Sequence, residues 1–135
     1  MRAILDANVL VSAVLSKTGA PARLVELWLA GAFELLVSEA LLSEVERALE
    51  YPQVRERIEP ADASELVRLV REIAHVIPDP EAPPPVRSPD ERDDYLVALA
   101  AAEDVRLVTG DAHLLGLGDR LPILTPRAFL DQLEA

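Results

Sequence analysis

The chain has 135 residues, half of them apolar, and a formal charge of −11, which is enough apolar material for one core but not two. It contains no cysteine, which excludes a disulfide framework, a thiolate zinc site and a thiol nucleophile and fits a reducing compartment. Ala3-Ile4-Leu5 is too short for the apolar region of a signal peptide, and no run approaches the ~18 apolar residues of a membrane span, so the expectation is a soluble, cytoplasmic, single-domain protein over residues 1–135 with no membrane partner.

Residues 2–5 form a short apolar run ending at Asp6, the pattern of a buried strand. Asn8 to Leu15 suit a first helix, followed by a loop around Lys17-Thr18-Gly19. Pro21 fits the first position of a second helix over 21–30, with Gly31 as its stop. Phe33 to Val37 read as a strand, and Ser38 caps a third helix to about Glu50, where Pro52 ends it. Residues 54–59 add a turn or two. An amphipathic helix over about 62–74 carries Leu66, Leu69, Val70 and Ile73 on one face, and His75-Val76-Ile77 follow as a short strand.

Six of the eleven prolines lie between Pro78 and Pro89. Three of them are consecutive and favour an extended path, so this stretch reads as a stiff surface loop. Ser88-Pro89-Asp90-Glu91 has the form of a capping box, predicting a helix from Pro89 to about Asp104. Arg106 to Thr109 form a strand, Gly110-Asp111 a turn, His113 to Leu115 a helical turn and Pro122 to Leu124 a last strand. Thr125-Pro126 open a terminal helix through Leu133. Strands alternating with helices imply a three-layer α/β/α domain with a mostly parallel sheet of four to five strands.

A charge of −11 opposes nucleic-acid binding unless some of the acids converge and hold divalent cations, which then supply the positive charge a phosphate requires. In an open parallel sheet, sites form at the carboxyl ends of strands. Asp6 and Asp111 both stand there. Either alone is more commonly a turn or helix-capping aspartate; together they reach one edge of the sheet. In the helix after Pro89, Leu96, Val97, Leu99 and Ala100 define the buried face; Asp93 falls inside that arc and Asp94 outside it. A carboxylate there needs a cap, a salt bridge (Arg92 is adjacent) or a metal. In the Ser38–Glu50 helix, Glu44 and Glu46 flank the apolar face about equally, and periodicity does not choose between them.

Four segments carry a resemblance. Leu5-Asp6-Ala7-Asn8-Val9-Leu10-Val11-Ser12-Ala13 resembles the opening motif of PIN-domain proteins, an apolar strand followed by D-x-N. Ser38 through Val45 is similar to the family's second motif, Asp93 through Ala100 to its third and Leu107 through Asp111 to its fourth. The tail Ile123 through Leu130 is similar to one subgroup, the VapC-like toxins of type II toxin–antitoxin systems. Each motif alone is weak; four in register over nearly the whole chain are specific.

The resemblance implies that the second acid is Glu44 and that the third is Asp93, with Asp94 a candidate secondary ligand. It implies a metal site of Asp6, Glu44, Asp93 and Asp111, in which Asp6 and Asp93 are the main ligands. Asn8 and Thr109 match positions that support the acids through hydrogen bonds to carboxylates or bound water; a helix cap and a strand-end hydroxyl are the alternatives. Crowded carboxylates raise one another's pKa until a cation neutralises them, and oxygen-only ligands suit Mg²⁺ or Mn²⁺ rather than zinc. The implied activity is hydrolysis of RNA phosphodiesters, and the implied partners are an RNA substrate, a small antitoxin protein and a second copy of the chain.

Other chemistries have less support. No serine has a G-x-S-x-G context, and the chain has neither a P-loop lysine nor a G-x-G-x-x-G run. His113 reads as an exposed loop residue rather than a base. A phosphatase needs a second aspartate where Asn8 stands, and a receiver domain needs an acidic pair ahead of Asp6. Lys17, Arg23, Arg87 and Arg92 are the cations expected near the site. A non-catalytic PIN-like binding module is the alternative function.

Overall fold

The computed structural model describes residues 1–135. Its strands are β1 (Arg2–Leu5), β2 (Glu34–Val37), β3 (His75–Val76), β4 (Arg106–Val108) and β5 (Ile123–Leu124). All neighbours pair in parallel, in the order β3-β2-β1-β4-β5. Parallel neighbours require long crossovers, and these contain helices α1 (Ala7–Leu15), α2 (Ala20–Leu29), α3 (Glu39–Leu49), α4 (Pro52–Arg55), α5 (Pro60–Ile73), α6 (Asp94–Glu103) and α7 (Ala112–Leu115), with α8 (Pro126–Glu134) closing the chain. Successive residues Ala3, Ile4 and Leu5 point to opposite faces of the sheet, yet all are fully buried. Helices therefore cover both faces, which is why the central strands read as continuous apolar runs. The expected α/β class is the one observed, with five strands and no antiparallel pair.

From β1 the chain builds the sheet outward through β2 to β3, then returns to place β4 and β5 on the other side of β1. The order reverses between β1 and β4, and such a switch point leaves a crevice at the carboxyl ends of the two strands. The register pairs Leu5 with Val108, and the Asp6 amide donates to the Val108 carbonyl at 2.9 Å. Asp6 and Thr109 consequently leave the sheet side by side.

Local chemistry sets the boundaries. Gly31 has φ +87°, a left-handed conformation that stops α2 as expected. Ser38 caps α3 by accepting from the Leu41 amide at 3.3 Å, and Thr125 caps α8 by accepting from Ala128 at 3.0 Å. Pro52 and Pro60 each sit at a first helical position, so α4 and α5 start earlier than periodicity implies. The Phe33 ring meets Phe129 edge-on, with centroids 5.1 Å apart, and ties the start of β2 to α8.

One expectation needs correction. The helix predicted from Pro89 instead begins as a 3₁₀ turn at Glu91–Asp93 and becomes α-helical only at Asp94. Ser88 is not its cap: the Ser88 hydroxyl accepts from the Asp90 amide, and Asp90 itself caps the turn by accepting from the Arg92 amide at 3.0 Å. The Ser88 amide donates to Asp94 Oδ1 at 2.8 Å rather than to Glu91, drawing the first turn out of α-geometry.

Candidate active site

Asp6 follows β1 directly and is 6% exposed. Thr109, fully buried at the end of β4, donates from its hydroxyl to Asp6 Oδ2 at 2.7 Å. The same Thr109 oxygen accepts from the Asp111 amide at 3.0 Å. One hydroxyl thus links two acids from adjacent strand ends. Burial raises the Asp6 pKa; the Thr109 hydroxyl and the Ala7 and Asn8 amides at the start of α1 oppose it, and Asp111 adds repulsion.

Asp111 also does the ordinary work of an aspartate after a strand. It caps α7, with Oδ1 accepting from the His113 amide at 2.7 Å. His113 lies exposed, its Nδ1 3.9 Å from that oxygen.

Asp93 ends the 3₁₀ turn, and its carboxyl is under the influence of Asp111. Its Oδ2 is shielded from solvent and has no donor. Burial, the facing Asp111 carboxyl and the charges of Asp6 and Asp90 push its pKa up to about 6. A buried acceptor without a partner is costly, and here it lies among acids.

Asp94 has a different environment. Periodicity placed it outside the buried face, yet it is only 9% exposed because the proline loop covers it. It accepts from the Ser88 amide at 2.8 Å and from the Arg87 guanidinium at 3.1 Å, and these hold its carboxyl below the usual range. Both contacts tie Asp94 to the loop.

Glu44 and Glu46 part company on α3. Glu46 is bonded to Arg71 of α5 at 2.7 Å. Glu44 pairs with Arg47 one turn on; burial, and then the charges of Asp6, Glu44, Asp93 and Asp79, raise the pKa of the part-buried Tyr95 phenol. Asp79 is anchored by accepting from the Ala40 amide at 3.0 Å. Asn8 is exposed in the first turn of α1 and makes no hydrogen bond to a carboxylate, and it does not cap the helix, since Asp6 holds that position. Arg87 and Arg92 flank the site on Asp94 and Asp90, whereas Arg23 is engaged with Glu26 and Glu134. A polar cleft of about 840 Å³ opens between the proline loop and His113.

The structure therefore joins Asp6 and Asp111 through Thr109; Asp93 is linked to both through their charges, and Glu44 is engaged with Arg47. No three of the acids converge on one point that would hold an ion. Their chemistry nonetheless fits a hard divalent cation: the donors are all oxygen, and Asp93 Oδ2 is a shielded acceptor that nothing in the chain satisfies. Sequence reading passed over Tyr95, Asp79 and Arg47. The i, i+3 spacing of Glu44 and Arg47 was the one available signal; nothing local marks Asp79 as the anchor of the loop.

Residues 2–113 match the family model described as PIN domain. No curated protein matches by sequence. Among solved structures, the fold is similar to PAE2754 from Pyrobaculum aerophilum, with a TM-score of 0.67 and 19% identity over 99% of this chain and 90% of that one. It is also similar to a chain of VapBC2 from Rickettsia felis, determined bound to a DNA fragment from its promoter, with a TM-score of 0.61 and 16% identity over 92% and 97% of the two chains. A third similar structure is FitAcB from Neisseria gonorrhoeae, with a TM-score of 0.59 and 15% identity over 93% and 98%. At these identities the neighbours speak for the fold, and the family match covers most of the sequence and all four acidic motifs: the chain belongs to the PIN-domain family.

Proposed function

We propose that this protein is a metal-dependent endoribonuclease acting as the toxin of a toxin–antitoxin pair. The observation that carries the reading is Asp93: a shielded carboxylate oxygen without a donor, facing Asp111 and close to the charge of Asp6. In the absence of a cation this arrangement is destabilising, and a divalent ion turns it into a stable one.

In this reading Asp6 and Asp93 are the main ligands of Mg²⁺ or Mn²⁺, with Glu44 and Asp111 completing the site. When bound, the ion lowers the pKa of a water and offsets charge on the phosphate under attack. The chain's own residues arrange that chemistry. Thr109 fixes the Asp6 carboxylate and the Asp111 backbone with one hydroxyl, so both acids are oriented before an ion arrives. Glu44 is held by Arg47, so recruiting it competes with that pair. The charge of −11 makes RNA affinity depend on the ion and on salt.

The partners follow the same reading: an RNA substrate, a small antitoxin protein and a second copy of the chain, in the cytoplasm. No helix is long and apolar enough to cross a membrane. VapBC2 and FitAcB, both similar in fold, motivate the antitoxin, and Leu29, exposed at the end of α2, offers apolar surface for a dimer contact through the first helices.

Purified protein incubated with mixed-sequence RNA and Mn²⁺, beside Asp6→Asn, tests the mechanism. Cleavage by the wild type alone is expected. Equal cleavage by both overturns the metal mechanism, and cleavage by neither favours a non-catalytic PIN-like binding module.

A further inference from the structure

Most of the thirteen lysines and arginines are held by carboxylates. Arg87 and Arg92, which flank the acidic site, are spent on Asp94 and Asp90, and Arg47 is spent on Glu44. Among the cations that form no ion pair, Arg106 starts β4 and bonds to Gln132, and Arg120 precedes β5, so both stand at the amino side of the sheet. Lys17 and Arg57 line a cleft past the far end of α1, in the company of Glu56, Glu59 and Asp62. Arg127 is the remaining free cation. It belongs to the tail Ile123 through Leu130, whose side chains the nuclease reading leaves unused.

The pairing of β4 with β5 fixes where Arg127 stands. Leu124 is in register with Val108, and the Thr109 amide donates to the Leu124 carbonyl at 2.9 Å. On the other side of β4, the Asp6 amide donates to the Val108 carbonyl at 2.9 Å. Asp6, Thr109 and Thr125 therefore form a row where three parallel strands end. Arg127 follows Thr125 at the offset at which Asp111 follows Thr109. Two strand spacings, about 10 Å, separate the ends of β1 and β5. A polynucleotide with one phosphate at Asp6 can thus set another at Arg127 without leaving the sheet edge.

The mount of Arg127 is rigid. Thr125 caps α8 by accepting from the Ala128 amide at 3.0 Å, Pro126 sets the first helical φ, and Phe129 is fully buried against Phe33. Arg127 itself is exposed and forms no ion pair, although Asp131 lies one turn on. A guanidinium stays charged at any working pH, and its paired N–H donors match the oxygens of a phosphate. A divalent ion offsets charge at the phosphate under attack; the next phosphate of the strand meets a protein of charge −11. Arg127 is the free cation placed to receive it.

We propose that Arg127 binds a backbone phosphate of the RNA next to the one under attack and so fixes the register of the strand along the sheet edge. This rests on the nuclease reading above. Arg127 is a substrate-binding residue and takes no part in the bond changes.

The test is steady-state cleavage of RNA with Mn²⁺ by the wild type, Arg127→Gln and Arg127→Lys, repeated from low to high salt, with the Tm of each protein as a check on folding. A second set of strands carries one uncharged methylphosphonate linkage, moved stepwise along the strand beside the cleaved position. Arg127→Gln is expected to raise KM about fivefold, as for the loss of an exposed ion pair, and to change kcat less. It should make the slope of log(kcat/KM) against log[salt] shallower by about 0.7, and should do so alike for RNAs of different sequence. Arg127→Lys keeps the charge and should retain the slope and most of the affinity. At one position, the methylphosphonate should raise the KM of the wild type and leave that of Arg127→Gln unchanged. If the wild type cleaves RNA but Arg127→Gln matches it in KM and salt slope, the contact is overturned while the nuclease reading stands. The same holds if no methylphosphonate position separates the two proteins, or if Arg127→Lys falls as far as Arg127→Gln. If the wild type does not cleave RNA, both are overturned.

Discussion

Thr109 connects the acids at the end of β1 with those after β4. Its hydroxyl spends its single proton on Asp6 and one lone pair on the Asp111 amide, and its side chain is fully buried. Thr109→Val keeps the shape of the residue and removes both bonds, leaving Asp6 Oδ2 and the Asp111 N–H without that partner. Unsatisfied buried groups of this kind cost about 1–3 kcal/mol, so urea unfolding should show a lower midpoint with an unchanged slope. Thr109→Ser retains the hydroxyl and should lose less than half as much. Because Thr109 holds the Asp6 pKa down against burial, Thr109→Val should also weaken divalent-ion affinity at neutral pH, measurable by calorimetric titration with Mn²⁺. Equal stability of the valine and serine variants would show that the hydroxyl is not what joins the two strand ends.

At the scale of elements, the proline loop and the start of α6 depend on each other. Asp94 accepts the Ser88 amide and the Arg87 guanidinium, and Asp79 at the other end of the loop accepts the α3 amide of Ala40. Asp94→Ala removes the inner fastening. It should lower the urea midpoint and make residues 78–89 the first site of limited proteolysis, without touching Asp6, Asp111 or the Thr109 hydroxyl that joins them. Protease resistance equal to the wild type would mean that the prolines alone hold the loop. This region also marks where the sequence stops being readable. The strands, the α2 stop at Gly31 and the α8 cap at Thr125 are set by neighbours in the chain, and they were legible. Asp6 and Asp111 were legible as strand-end acids for the same reason. Asp94 was misjudged because its burial comes from a loop that doubles back over it, which a helical wheel does not contain. Ser88 was misassigned as a cap because its amide found a side-chain acceptor six residues on instead of three. Glu44 differs from Glu46 in its partners: Arg71 of α5 takes Glu46, whereas Glu44 pairs with Arg47 on its own helix.

The molecule as a whole carries its acidity in two ways, and they respond to pH in opposite directions. Asp90, Asp94 and Glu65 are hydrogen-bonded to arginines or amides and titrate below their ordinary values. What they contribute is present above the unfolded carboxylate pKa and is lost as pH falls through the lower folded values. Asp6 and Asp93 are raised, Asp93 to about 6 against 3.8 when unperturbed. Between those values the folded chain keeps protons that the unfolded chain has released, so stability declines as pH rises. Self-repulsion at −11 acts in the same direction. For protein stripped of metal, the Tm should therefore be a few degrees higher at pH 5 than at pH 7. Millimolar Mg²⁺ or Mn²⁺ at pH 7 should recover most of the difference, because an ion does for the ionised carboxylates what the proton does at pH 5. Asp93→Asn separates the site from the general charge. It removes the buried charge outright, so it should raise the metal-free Tm at pH 7, flatten the profile between pH 5 and 7 and lose the response to divalent ions. A variant that keeps both the slope and the metal response would place the ion-sensitive acids elsewhere in the chain, and one that loses the slope but keeps the metal response would leave Asp93 a titrating carboxyl that takes no part in binding the ion.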